Sequence, residues 1–205
     1  MPKQTFFNLP AEKQDNLLNA AKKEFSRVPL HEAVISNIIK SAKIPRGSFY
    51  QYFEDLEDLF FYILEEYVKR NNERFTLQLK LNNGDLLDTF ISVFQSMLHD
   101  FQSEEHRIFF KNAFLNMNHK VGKAFTNHTD LENFMARRSE LLELVDTKKM
   151  AIENERELLH LMNIIKAVTF QNIVQSFAMQ LTPDEALKRY TLEINMLKRG
   201  LYQND

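Results

Sequence analysis

The sequence predicts an all-α protein of about nine helices, with short helices in the first 53 residues and longer ones after them. Only four glycines and five prolines occur among 205 residues, which leaves few positions for the tight turns that join strands. Between these breaks, apolar residues recur at three- and four-residue spacing. That spacing is typical of amphipathic helices rather than of strands.

Three short helices with apolar inner faces are predicted in residues 1–53. The first runs from about Pro10 to Phe25, the second from about Ala33 to Ala42, and the third starts at Pro45. The apolar stripes of the first two are formed by Leu17, Leu18, Ala21 and Phe25 and by Ile35, Ile38, Ile39 and Ala42. Because the connecting segments are short, we expect one compact unit.

A larger helical domain is predicted over residues 54–205. The approximate helix ranges are 54–81, 86–101, 103–117, 120–148, 154–179 and 183–203. Gly84 suits a left-handed helix end and Asp85 the N-cap that follows it. Thr182 and Glu185 form a capping box at the start of the last helix.

The composition excludes several classes of protein. Hydrophobic residues make up 44% and charged residues 26% of the chain, the range of an ordinary globular protein. There is no cysteine, which excludes disulfides, a thiolate nucleophile and cysteine-based zinc sites. No apolar run has the roughly 18 residues of a membrane span, and residues 1–7 lack the apolar core of a signal peptide. We expect a cytoplasmic protein that does not enter a membrane.

The charge is distributed unevenly along the chain. The formal net charge is −2, yet residues 1–53 contain eight Lys and Arg against four Asp and Glu, a net charge of +4. A basic head on an acidic body is expected when only one end of a protein meets phosphates. The same asymmetry also fits an all-helical interaction module whose basic head binds an acidic protein.

The segment 33–53 has the properties of a helix-turn-helix that inserts its second helix into a DNA groove. That helix needs small or polar residues near its N-terminus, and Pro45–Ser48 supplies them. Arg46 can donate two hydrogen bonds to a guanine edge or contact a phosphate, while Gly47 permits a close backbone approach. The candidate DNA-binding residues are Ser36, Lys40, Lys43, Pro45, Arg46, Gly47, Ser48, Tyr50, Gln51 and Tyr52. Phe49 and Phe53 are expected in the core.

Residues 44–60 read Ile-Pro-Arg-Gly-Ser-Phe-Tyr-Gln-Tyr-Phe-Glu-Asp-Leu-Glu-Asp-Leu-Phe. This segment resembles the signature of the TetR family of bacterial transcriptional regulators, and the resemblance extends over about residues 8–65. It implies a ligand-responsive regulator, most often a repressor, that binds a roughly palindromic operator as a homodimer through its last two helices. We expect no cofactor.

Three positions depart from the family pattern. The usual turn glycine is Lys43, a threonine that starts the second helix is Val34, and a lysine near the start of the fourth helix is Leu56. The last two positions commonly contact phosphate in the family. We therefore expect a smaller salt dependence of DNA binding, with Lys40 or Lys43 as substitute cations.

Phenylalanines cluster in the middle of the larger domain. Their spacing fits a hydrophobic core first and a pocket for an apolar ligand second, and the resemblance implies such an effector pocket. The residues that we expect to line it are Phe94, Met97, Phe101, Phe110, Phe114, Phe170 and Phe177. Three polar residues interrupt the apolar run of the helix at 154–179: Gln171, Asn172 and Gln175. They fit dimer contacts, ligand contacts or solvated groups.

Other functions find little support in the sequence. The six histidines include no pair at i, i+4 spacing, so we expect no metal site. Glycine-rich phosphate loops and nucleophile elbows are absent from the sequence, which disfavours an enzyme.

Overall fold

The computed structural model describes residues 1–115, 141–148 and 150–201, and its regular elements there are helices. The prediction of an all-α fold is confirmed. Most of the helix predicted at 120–148 lies outside the described residues. Within them, no helix combines the length and the apolar character needed to cross a membrane.

The N-terminal helices are short and closely follow the predictions. They are α1 (Gln4–Phe7), α2 (Ala11–Arg27), a 3-10 turn (Leu30–Glu32), α3 (Ile35–Ala42) and α4 (Arg46–Tyr52). The helix α1 was not predicted, because four residues are too few to show a helical period. Pro10 and Pro45 were predicted inside helices, but each stands just before one as the N-cap.

The later helices are longer. They are α5 (Leu56–Leu81), α6 (Leu86–Asp100), α7 (Glu104–Leu115), α8 (Glu155–Ala178) and α9 (Pro183–Leu201). Their bounds agree with the predicted ranges to within two residues, because each carries a clear apolar stripe and a local start or stop signal.

The chain forms two compact units. The first comprises residues 1–69 and 102–128, and the second comprises residues 70–101 and 129–205. The helix α5 passes from the first unit into the second. The predicted boundary at residue 53 divides the chain by function, and it stays a prediction.

The core of the first unit joins α2 to α5 and α7 through aromatic rings. The ring centroid of Phe60 lies 5.1 Å from that of Phe25 and 5.6 Å from that of Phe109. The side-chain amide of Asn112 in α7 donates to the carbonyls of Phe25 and Ser26 at 3.0 and 3.1 Å. This amide therefore satisfies carbonyls at the end of α2 that have no partner within the helix.

The second unit packs α6 and α8 against α9. The ring of Tyr190 lies 4.1 Å from that of Phe94, and its hydroxyl lies 2.6 Å from the hydroxyl of Thr169. Burial raises the pKa of Tyr190 far above its ordinary value, so this phenol stays neutral. Lys198 of α9 also pairs with Asp85 at the start of α6, at 2.9 Å.

The turn between α5 and α6 confirms the predicted helix signals. Gly84 has a φ of +82°, and its N–H donates to the carbonyl of Leu79 at 2.9 Å. The Asp85 side chain then accepts from the N–H of Asp88 at 2.9 Å. The local sequence therefore determines this turn.

We expect Gly84→Ala to destabilise the protein by at least about 1 kcal/mol. A Cβ at Gly84 would lie 2.5 Å from the carbonyl oxygen of Leu144, and the positive φ adds backbone strain. Gly200→Ala is the matched control, because a Cβ there meets no atom within 4 Å. Urea unfolding of both variants measures the difference; equal stabilities would contradict the clash.

Candidate nucleic-acid interface

The helices α3 and α4 contain eight and seven residues, and neither has a side-chain hydrogen bond from its own N-cap residue. Helices this short are marginal on their own. Their exposed N–H and carbonyl groups must find partners in other elements.

The N-terminus of α3 is held by a buried carboxylate from α2. Glu24 is only 5% exposed, and its Oε1 accepts from the N–H of Val34, the N-cap of α3, at 3.1 Å. It also accepts from the side-chain amide of Asn37 at 3.0 Å and from Arg27 at 2.7 Å. The negative charge lies at the positive end of the α3 dipole, where it is stabilising.

These partners keep Glu24 ionised. The hydrogen bond from Arg27 lowers the pKa of the carboxyl below its ordinary value, and the bonds from Val34 and Asn37 lower it further against the opposing effect of burial. The carboxylate thus replaces the cap that a threonine at position 34 would supply.

The C-terminus of α3 ends in a left-handed turn. Lys43 has φ 54° and ψ 42°, and the N–H of Ile44 donates back to the carbonyl of Ile39 at 3.0 Å. The side-chain amide of Asn16 in α2 donates to the carbonyl of Ala42 at 2.9 Å. A residue with a Cβ adopts this conformation at a cost of about 1 kcal/mol, which explains why the family pattern has glycine at this position.

The C-terminus of α4 is held by the segment around α1. The N–H of Lys3 donates to the carbonyl of Tyr52 at 2.8 Å, and its ammonium donates to the carbonyl of Tyr50, also at 2.8 Å. The hydroxyl of Thr5 donates to the carbonyl of Gln51. Sequence reasoning missed these residues, since more than 40 positions separate the partners.

The inner face of α4 packs into an aromatic cluster. Phe49 and Phe53 are fully buried, which confirms their predicted place in the core. The ring of Phe6, from α1, lies 4.9 Å from Phe53 and 5.4 Å from Tyr62. This packing determines which face of α4 remains outside.

The outer face of this region carries the predicted DNA-binding residues. The exposed ones are Ser36, Lys40, Lys43, Pro45, Arg46, Gly47, Tyr50 and Gln51, while Ser48 and Tyr52 are half-buried. A Cβ at Gly47 would meet no atom within 4 Å, so packing within the protein does not require glycine at this position. Contact with DNA by any of these residues stays a prediction.

The predicted effector residues fall into both compact units. In the second unit, Phe101 and Phe177 are buried with their ring centroids 5.2 Å apart, Phe94 is fully buried, and Met97 and Phe170 are half-buried. In the first unit, Phe110 and Phe114 stack with centroids 5.8 Å apart. Their role in ligand binding stays a prediction.

The polar residues of α8 differ in their environments. The Asn172 amide is buried and donates to Glu193 of α9 at 2.6 Å and to the carbonyl of Val168 at 2.9 Å. Gln171 is exposed and Gln175 is half-buried. The Asn172 side chain therefore holds α8 against α9. Across the described ranges, His, Asp and Glu form no group of three that could bind a metal ion.

Two family profiles match the chain. Residues 85–201 match the family described as "Tetracyclin repressor-like, C-terminal domain", and residues 17–63 match "Bacterial regulatory proteins, tetR family". The first match alone covers more than half of the chain.

Two curated relatives match shorter stretches. The HTH-type transcriptional regulator YdgC of Bacillus subtilis is 35% identical over 78 residues, which are 37% of this chain and 40% of YdgC. The HTH-type transcriptional repressor NemR of Escherichia coli is 31% identical over 67 residues, which are 33% of this chain and 34% of NemR. Both matches span well under two thirds of the relative.

Solved structures match over most of the chain. A TetR-family regulator from Syntrophomonas wolfei has a TM-score of 0.68 at 17% identity, covering 91% of this chain and 94% of that one. SmeT, the repressor of the Stenotrophomonas maltophilia multidrug efflux pump SmeDEF, has a TM-score of 0.65 at 14% identity, covering 97% and 93%. At these identities the likeness shows the fold.

We expect Glu24→Gln to destabilise the protein by about 1–3 kcal/mol at neutral pH, because it removes a charged acceptor from Val34, Asn37 and Arg27. The folded-state pKa of Glu24 lies below its ordinary value of 4.5. The stability that its ionised form contributes is therefore present above pH 4.5 and is lost as the pH falls through the lower folded-state value.

Urea unfolding of both proteins between pH 7 and pH 3 measures this effect. The difference in unfolding free energy should shrink below pH 4.5. Glu12→Gln, an exposed acid in the first turn of α2, is the control and should change little. A Glu24 difference that stays constant over the whole pH range would show that the charge is not involved.

Proposed function

The chain belongs to the TetR family of bacterial transcriptional regulators, and from this premise we propose that it is a repressor. The proposed repressor binds a roughly palindromic operator as a homodimer. It leaves the operator when a small apolar or aromatic effector binds. The observation that carries the proposal is the exposed N-terminal edge of α4. NemR and SmeT are both named repressors, which supports repression over activation. Since bacterial DNA lies in the cytoplasm, we place the proposed repressor there.

The N-terminal edge of α4, residues Pro45–Ser48, is proposed to enter the major groove. Arg46 is exposed there and has the two parallel donors that match a guanine edge. Gly47 leaves open space beside the helix, which lets the backbone approach the DNA closely. The neighbouring polar side chains then bind phosphates and set the register of the helix in the groove.

Contacts to DNA phosphates are proposed to be fewer than in a protein with the full family pattern. Val34 has no hydroxyl, and its N–H already donates to Glu24. Val34 therefore has neither a hydroxyl nor an unused backbone N–H to donate to a phosphate. Lys40 and Lys43 are exposed and can supply cations instead, so we expect a moderate salt slope.

The effector is proposed to act through α7. Asn112 fixes α7 to the carbonyls at the end of α2, and the Ser26 hydroxyl of α2 donates to the carbonyl of Glu105 in α7 at 3.0 Å. A ligand that displaces α7 would therefore move α2, whose Glu24 and Asn16 hold both ends of α3. Such a ligand shifts the population between DNA-binding and non-binding forms.

The dimer is proposed to form through α8 and α9. Both helices expose large apolar side chains, with Ile164 53%, Leu192 60% and Met196 58% exposed. On α9, Leu192 and Met196 are four residues apart and therefore share a face. Covering such a face with a second copy removes apolar surface from water, and two-fold symmetry places two α4 helices on successive major grooves.

The direct test of the function is a gel shift with duplexes from the DNA upstream of the protein's own gene. We expect a specific shift that survives excess competitor DNA and shows inverted half-sites in a footprint. If the dimer bound no sequence in preference to random DNA at any salt concentration, the operator claim would be wrong.

Arg46→Ala is expected to weaken operator binding roughly 5- to 150-fold and to relax the preference at one base pair of each half-site. Lys40→Ala is the comparison: loss of a phosphate contact should weaken binding to all sequences alike. Affinities for the operator and for single-base variants separate the two effects. A uniform loss for Arg46→Ala would make it a phosphate contact.

Leu192→Asp is expected to raise the dimer dissociation constant at least about 100-fold, because it places an unpaired charge in an apolar interface. Gln95→Asp, at an exposed position of α6, is the matched control and should leave the dimer intact. Sedimentation equilibrium measures both; an unchanged dimer for Leu192→Asp would place the interface elsewhere.

A further inference from the structure

We propose that Lys3 is a DNA-backbone contact and that Lys3 and Thr5 hold the last turn of α4 in the position that DNA binding requires. The inference rests on the proposed operator function and extends it to a segment outside the helix-turn-helix. The N-terminal family match begins only at residue 17, so neither residue lies within it.

The first observation is that this segment satisfies the carbonyls of α4 one after another. Lys3 donates to the carbonyl of Tyr50 with its ammonium and to that of Tyr52 with its backbone N–H. The hydroxyl of Thr5 donates to the carbonyl of Gln51. A cation at the C-terminus of a helix is also favoured by the helix dipole. The last turn of α4 is therefore fixed by Lys3 and Thr5.

The second observation is that the segment is firmly anchored. Phe6 is fully buried and packs against Phe53 and Tyr62, and burying a phenylalanine side chain contributes about 1.5–3 kcal/mol. The side-chain amide of Gln14 in α2 donates to the carbonyl of Leu9 at 2.8 Å. The packing of Phe6 and the hydrogen bond at Leu9 thus hold the segment that carries Lys3 and Thr5 beside α4.

The third observation concerns the charge that Lys3 brings to this end of α4. An ammonium has three donors, and the bond to Tyr50 uses one of them. Lys3 is exposed, as is Tyr50 on the proposed DNA-facing side. Four acids follow α4 directly: Glu54, Asp55, Glu57 and Asp58. The N-terminal ammonium pairs with Asp58, and the other three acids would repel phosphates. Lys3 offsets this repulsion and can donate to a phosphate oxygen near Tyr50.

The test compares salt slopes of DNA binding for the wild type and Lys3→Gln, which keeps a donor for the Tyr50 carbonyl but loses the charge. Loss of one phosphate contact per protomer should reduce the slope of log K against log salt by about 1.8 per dimer. Between about 50 mM and about 200 mM salt, the wild type should then lose roughly 12-fold more affinity than the variant. Lys3→Arg should restore the wild-type slope.

Two further variants separate charge from positioning. Lys69→Gln removes an equally exposed lysine that lies roughly 20 Å along α5 from its start, and its slope should equal that of the wild type. Thr5→Val should weaken operator binding without changing the slope, and Thr5→Ser should restore the affinity. Unchanged affinity for Thr5→Val would overturn the positioning role.

Measuring every slope on a random-sequence duplex as well keeps the two proposals apart. If no operator preference were found, the repressor function would fail, yet the slope on random DNA would still report the charge at Lys3. A wild-type slope for Lys3→Gln on both duplexes would overturn the phosphate contact, whatever the outcome for the operator.

Discussion

The structure of the DNA-binding region depends on one constraint: α3 and α4 are too short to hold their own ends. With eight and seven residues and no caps from their own N-cap side chains, they would fray in isolation. Four supports from α2 and the α1 segment prevent this, and they are supplied by Glu24, Asn16, Lys3 and Thr5. The proposed DNA-facing surface is thus supported by residues that lie outside the helix-turn-helix.

This arrangement divides the surfaces of α4 between folding and the proposed contact with DNA. Its inner side chains, Phe49 and Phe53, are fully buried and determine the orientation of the helix. Its outer edge carries Arg46 and Gly47, which are exposed. A Cβ at Gly47 would meet no atom within 4 Å, so packing does not require a glycine there. A movement of α2 changes the supports of α3 directly. The proposed effector therefore need not touch the helix-turn-helix to alter it.

Much of the fold could be predicted from the sequence because its signals are local. Apolar periodicity and the caps around Gly84 and Thr182 located the helices to within two residues. The exposed edge of α4 followed from the same periodicity, since the buried face of α4 leaves only one face outside. The first helix could not be predicted because four residues are too few to show a helical period. The supports of α3 and α4 could not be predicted either, because the partners are 10 to 49 positions apart and only tertiary packing brings them together.

At Gly47 the protein leaves open space that its own side chains do not fill, and this is where we propose that α4 approaches DNA most closely. Replacing this residue by glutamine keeps the net charge and favours the helix by a few tenths of a kcal/mol. The decisive measurement is the operator affinity of Gly47→Gln, with urea unfolding as the control for folding. We expect a protein that is at least as stable as the wild type and has lost most of its operator affinity. Wild-type affinity in a stably folded variant would contradict the claim that this edge of α4 approaches DNA.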